Sequence, residues 1–385
     1  MSEVTVEELQ EKVHQLEENL RKVKSVDELT GLYNRNTYYD RVRCRFENEP
    51  DREYVIVCFD VDKFKFVNDR FGFVEGDRLL SYIGKKLQER AAKYGLVAAR
   101  LSGDVFSFMD FEENIQPDAL GAEIQSLKKS EKEYIWEGNP DIWEGHSPIL
   151  FPICGKLADN KFIIDGKEFS LNMHGFAKKS VFEIEKSIDT EVIFLLKESS
   201  DTLKHYPFHF ELRIMYTLKN DSIHIKYSVT NTDTKTMYFS IGAHEAYACD
   251  GGIENYSLVF DTCESFETLL LNDGFLNHKV QKITDDSCEL PLKYSYMEFD
   301  TLIFSNLKSK TVKLKNNITG DTVAIDFSDF KNLLLWTIPN AQYICIEPWN
   351  GLPDYVDSNH NIAEKTDIIS LSGGHVFECV HTLTF

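Results

Sequence analysis

At 385 residues the chain exceeds one average domain, and its 42% hydrophobic content is enough to fill at least one large core. Acidic residues outnumber basic ones, 63 Asp and Glu against 42 Lys and Arg, for a formal net charge of −21. Such a surface repels phosphate backbones and anionic headgroups, which argues against nucleic acid and membranes as partners. In chain order, Leu9, Val13, Leu16, Leu20 and Val23 recur at alternating spacings of four and three, so residues 1–26 read as an amphipathic helix. The seam spans only about two heptads, so it fits either a helix docked on its own domain or a short parallel helix joining two chains. From 27 to 111, helix and strand patterns alternate. Ser25 or Asp27 is positioned to cap a helix carrying Leu32 and Tyr39. YVIVCFDVD reads as a buried strand that delivers acids to its C-terminal end. DRLLSYIGKKLQERAAKY is amphipathic, and GLVAARLSGDVFSFMDF reads as two strands joined by a Ser-Gly-Asp turn.

After about Pro117 the texture changes to short runs with period-two alternation: KFIIDGKEFSL, EVIFLLKES, FHFELRIMYTL, DSIHIKYSVTN, YSLVFDT and TVKLKNN. Turn-forming clusters separate them and no linker interrupts, so residues 112–385 are expected to form one large β-sandwich. The fold class is therefore mainly β, with an N-terminal helix and a small α/β module. The eight cysteines follow no CxxC or zinc spacing, and several sit in apolar runs such as VIVCF and YICIE. Reduced thiols are expected. No apolar run is long enough to span a bilayer, and the charged opening MSEVTVEELQEKVHQLEENL lacks a signal-type apolar stretch, so a cytoplasmic location is expected.

Three segments place titratable groups beside glycine or proline where a strand gives way to a loop. These are NMHGFAK with His174, SIGAHEAY with His244, and YICIEPWNGLPDY with Glu347. A carboxylate ending an apolar strand needs a partner or a function. On chemistry alone, two histidines and a glutamate serve equally as an acid–base set or as metal ligands.

The run YIWEGNPDIWEGHSPILFPICGKL with DGKEFSLNMHGFAK, together with GAEIQSLK, YPFHFELRIMYTL, FSIGAHEAY and IEPWNGLPD, resembles the aldose 1-epimerases in order and spacing, in the galactose mutarotase-like, LacX-type branch. The match runs from about Gly121 to Phe385. It implies a β-supersandwich and cofactor-free, metal-free interconversion of hexose anomers. Glu347 would take the proton of the anomeric hydroxyl, and His244, on the opposite side of the anomeric centre, would protonate the ring oxygen. The opened aldehyde would then rotate and close again. His174 would orient sugar hydroxyls, and the resemblance pairs Asp300, in MEFDTLIF, with an aspartate that does the same. Lys156 and Lys178 stand where the family has arginines, keeping the charge without the bidentate fork. The family's opening strand before GAEIQSLK is replaced by a different sequence. A catalytically idle carbohydrate-binding or regulatory protein is the alternative.

DELTGLYNR, FDVDKFKFVNDRFGFVEGD and ARLSGDVF resemble the first half of a GGDEF domain, the diguanylate cyclase module. The resemblance implies metal binding at Asp60, guanine contacts at Asn68 and Asp77, and a phosphate contact at Lys65. In the signature turn, Ser102-Gly103-Asp104-Val105-Phe106, Val105 replaces the metal-binding glutamate and Ser102 a glycine; Leu96 stands where an inhibitory-site aspartate would precede the turn. Magnesium demands oxygen ligands, so Asp60, Asn68, Asp77 and Asp104 are expected to be inactive relics. Beyond Phe111 the module's second half is not recognisable. An accessory or dimerising module is expected.

Overall fold

The computed structural model describes residues 25–49, 54–61, 64–111, 119–129 and 132–385. The heptad seam over 9–23, and with it the proposed dimer helix, lies outside the described residues. The chain divides into two compact units, Met1–Pro117 and Asp118–Phe385.

In the first unit a four-stranded sheet runs in the order Tyr33–Asn34, Val97–Ser102, Val105–Phe111, Tyr54–Phe59. Leu80 and Leu87, on helix Phe73–Tyr94, pack with Leu32, Ala98 and Phe106. Tyr38 and Val42, on helix Arg35–Asn48, pack with Val97, Ala99 and Met109. Two local expectations are corrected. The cap of helix Arg35–Asn48 is Asn34, whose side chain accepts the Thr37 N–H at 3.1 Å, so Leu32 precedes the helix. Asp27 instead closes a turn by accepting from the Thr30 N–H and hydroxyl, and it pairs with Arg100. The strand Tyr54–Phe59 is an edge strand rather than a buried one, with Ile56 46% exposed and Cys58 exposed. An apolar run reads the same whether or not its outer face is covered.

The second unit is built on two antiparallel sheets. The ten-stranded sheet runs Phe275–Pro291, Tyr256–Asn272, Thr311–Asn316, Thr322–Asp326, Val376–Thr384, Ser222–Asn231, Phe210–Lys219, Glu191–Lys197, Val181–Ile188, Ala119–Leu120. Its last member is a two-residue edge at the point where the sequence departs from the family pattern. Alternation sets the inward face: Phe210, Leu212, Ile214 and Tyr216 are buried on one strand. The smaller sheet runs Leu302–Ser305, Asn332–Trp336, Tyr343–Asn350, Ile241–Ala243, Ile149–Leu150, with Glu245–Ala248 also on Tyr343–Asn350. Strand Tyr343–Asn350 is buried along its whole length, which explains its unbroken apolar run. Ile344 and Ile346 enter the main core, while Tyr343 and Cys345 pack under Trp136, Trp143 and Trp336.

The expectation of eight reduced thiols is corrected for two of them. Cys263 and Cys288 lie on the paired strands Tyr256–Asn272 and Phe275–Pro291 and form a disulfide. Their separation of 25 in sequence resembles no motif; only the hairpin register makes them neighbours. Among the described residues, no helix is long and apolar enough to cross a membrane.

Candidate active site

A cavity of about 940 Å³ opens in the second unit, and Glu347, His244, His174, Lys156, Lys178 and Asp300 all line it. Its chemistry is set by strand register. Gly242 lies opposite Trp349 and Glu245 opposite Ile346, which puts His244 directly across from Glu347. The ladder is interrupted between those pairs. Pro348 has no N–H to donate there, and the Ala243 carbonyl accepts the indole N–H of Trp349 at 3.2 Å. The result is a buried dyad, His244 Nε2 to Glu347 Oε2 at 3.4 Å, with side-chain exposures of 12% and 2%. The two groups sit side by side on neighbouring strands. Since the ring oxygen and the anomeric oxygen are bonded to one carbon, an adjacent pair spans both.

Trp143 stacks on the His244 ring at 5.4 Å, and Trp336 meets it edge-on at 5.8 Å. His174 lies 5.8 Å from His244, ring to ring, on a loop tied to segment 151–155. The His174 N–H donates to the Gly155 carbonyl, the Phe176 and Ala177 N–H groups donate to the Phe151 carbonyl, and the Gly155 N–H donates to His174 Nδ1. That last bond requires an unprotonated Nδ1, so the neutral ring carries its hydrogen on Nε2. The same loop carries Lys178. Lys156 Nζ donates to the Asp273 carbonyl at 3.1 Å, and Asp300 is exposed at the end of the 3-10 turn Tyr294–Phe299.

Burial governs the electrostatics. It pushes Glu347 well above the usual carboxylate range, with the Glu245 charge adding to the rise and a bond from Trp349 opposing it. It lowers His244 to about 3, with Lys178 adding to the fall, and holds His174 well below its ordinary value. Burial thus disfavours the charged form of each member of the dyad, the carboxylate of Glu347 and the imidazolium of His244.

Some cavity residues carried no sequence signal of their own. Three of the four tryptophans line it, Trp143, Trp336 and Trp349. Cys345, read as a small hydrophobe, faces the dyad. Among the described residues, His244, Cys345 and Glu347 are the one set of three His, Cys, Asp or Glu side chains whose ligand atoms converge, all within 4.8 Å of one another. Among the described residues of the first unit no such set forms. Asp60 and Asp77 are exposed, Asp104 sits in the turn before Val105, and Lys65 is exposed. Asn68 Oδ1 is buried against Gly76 and has no hydrogen-bond partner among the described residues.

The aldose 1-epimerase family matches residues 117–369, and the chain belongs to that family. The diguanylate cyclase GGDEF domain family matches residues 24–135, so the two matches overlap over 117–135, and the second extends past the expected limit at Phe111. The plasmid-encoded protein LacX of Lactococcus lactis subsp. lactis is 36% identical over 269 residues, covering 66% of this chain and 90% of LacX. The galactose mutarotase related enzyme of Lactobacillus acidophilus is 31% identical with a TM-score of 0.66, covering 69% of this chain and 92% of that one. A galactose mutarotase-like protein of Lactobacillus casei is 29% identical with the same TM-score, 0.66, over 69% and 94%. The N-terminal stretch is 33% identical to Escherichia coli diguanylate cyclase DgcP over 108 residues, 27% of this chain and 31% of that protein.

Proposed function

We propose that the second unit interconverts the α and β anomers of a hexose by acid–base ring opening, without metal or cofactor. The observation that carries this reading is the His244–Glu347 pair at 3.4 Å on the wall of a cavity with aromatic sides. Ring opening removes a proton from the anomeric hydroxyl and adds one to the ring oxygen, so a dyad holding one proton is sufficient. In the family-based assignment Glu347 is the base and His244 the acid, which needs the proton on His244 when the sugar is bound. Burial, which disfavours both charged forms, favours a second reading with the roles exchanged: neutral His244 accepts the hydroxyl proton while protonated Glu347 supplies the ring oxygen. Both readings use the same proton count, and closure of the rotated aldehyde reverses both transfers. His174 Nε2–H, Lys156, Lys178 and Asp300 would hold the remaining hydroxyls, and Trp143 or Trp336 offers an apolar platform for a sugar face.

Polarimetry of freshly dissolved α-glucose and α-galactose tests the proposal. The protein should speed the approach to equilibrium, and Glu347→Gln should slow it by about two to four orders of magnitude with an unchanged thermal melt. Undiminished exchange by the variant would sink both role assignments. Sugar binding without any exchange would favour the idle binding protein.

A further inference from the structure

We infer that His244, Cys345 and Glu347 form a binding site for one thiophilic divalent cation, zinc or cadmium, and that filling it stops anomer exchange. The second half of this inference rests on the function proposed above; the first does not.

Cys345 and Glu347 are two residues apart on strand Tyr343–Asn350 and so project from the same face. His244 stands directly across from Glu347 on the neighbouring strand. The imidazole nitrogen, the thiol sulfur and a carboxylate oxygen lie within 4.8 Å of one another. Tetrahedral zinc, with bonds of about 2.0–2.2 Å to nitrogen and oxygen, separates two such ligands by roughly 3.4 Å. The His244–Glu347 spacing of 3.4 Å is that edge.

The donors also select the ion. Sulfur, imidazole nitrogen and a single carboxylate suit zinc or cadmium, whereas magnesium and calcium take oxygen. His244 Nε2, the ring nitrogen beside Glu347, is the one placed to ligate, and Nδ1 has no hydrogen-bond partner among the described residues, so no acceptor holds the ring in another orientation. His244 and Glu347 line the cavity, so an ion held by them would be within reach of water or a sugar hydroxyl entering it. Three protein ligands and one open position are a normal zinc arrangement.

Charge balance favours this ion in so dry a place. Binding displaces the Cys345 thiol proton and the dyad's proton, both to solvent. The thiolate and carboxylate left behind cancel the two charges of the cation. The loaded site is neutral, but its acid–base pair has lost the proton it would move, and the imidazole lone pair that would accept one is held by the ion.

The test uses the full chain stripped with a chelator, beside Cys345→Ser and Cys345→Ala. Cadmium added to the wild type should produce a thiolate-to-metal absorption band rising to one equivalent beyond any band in the variants. Losing a ligand should weaken binding by at least about 10–100-fold. Zinc should suppress wild-type exchange in proportion to occupancy, a chelator should restore it, and the ratio of rates with and without zinc should be near unity in both variants. Comparing each protein with itself removes any effect of the substitution on its own rate. Equal bands and equal inhibition in all three proteins would overturn the site. A chelator-stripped chain without exchange, yet with a band that depends on Cys345, would overturn the proposed function and leave the cation site standing.

Discussion

Glu347 and His244 each lose a charge to the same cause, the removal of water, and this inverts the usual reading of a pH profile. With ordinary values, 4.5 for the carboxyl and 6.5 for the imidazole, the dyad would hold one proton only in a narrow window between them, as carboxylate and imidazolium. Here His244 is lowered to about 3 and Glu347 is raised. The dyad gains a second proton only as pH falls toward 3, and loses its single proton only as pH rises through the elevated Glu347 value. We expect kcat/KM, corrected for spontaneous mutarotation, to stay high at pH 4 and to fall on the alkaline side well above 4.5. The acid limb would then report the imidazole and the alkaline limb the carboxyl, as macroscopic values of the pair. A bell confined between 4.5 and 6.5 would show that the pair works as separate, hydrated groups. His244 and Glu347 were legible in the sequence because each is a titratable group ending an apolar strand beside Gly or Pro. Cys345, Trp143 and Trp336 were not, because an apolar or aromatic residue in a strand looks like core until cross-strand register shows what it faces.

At the scale of elements, the site is held by one rigid strand and one tied loop. Strand Tyr343–Asn350 presents Glu347 from a fully buried backbone, while the loop bearing His174 and Lys178 depends on its close approach to segment 151–155. Gly175 makes that approach: its φ is +68°, and a Cβ there would meet the Phe151 carbonyl oxygen at 2.3 Å. Gly166 has a similar φ of +72° with open space around it. Gly166→Ala should therefore cost only the left-handed backbone penalty, about 1–2 kcal/mol. Gly175→Ala adds a clash worth about 1–3 kcal/mol more and should push His174 and Lys178 out of place. The expected kinetic signature is a raised KM with a smaller change in kcat, because the dyad sits on other strands. Equal melting temperatures for the two variants, or an unchanged KM for Gly175→Ala, would mean the loop is not clamped as described. Period-two alternation made the strands of this unit readable. It could not reveal that Tyr54–Phe59 is an edge strand, nor that Asn34 rather than Ser25 or Asp27 starts the first described long helix, because both depend on what lies opposite in space.

For the whole molecule, the question is whether two recognisable units mean two activities. Among the described residues, those lining the cavity all belong to the second unit. The first unit matches the GGDEF family, but transfer of a nucleotide's phosphoryl group depends on a divalent metal held by carboxylates. Asp60 is present and exposed, yet the position after Asp104 holds Val105, whose side chain has no oxygen for magnesium. Among the described residues of this unit, no three acidic, His or Cys side chains converge on a point where an ion would sit. Ser102, in place of a glycine, adds a side chain where the family's backbone passes close to phosphate. The full chain incubated with GTP and either magnesium or manganese should therefore yield no cyclic di-GMP when the nucleotides are separated by chromatography, while the same preparation exchanges sugar anomers. Cyclic di-GMP formed in step with protein concentration would overturn this account. It would mean that a metal is held there by groups other than the expected carboxylate pair, since a valine contributes none.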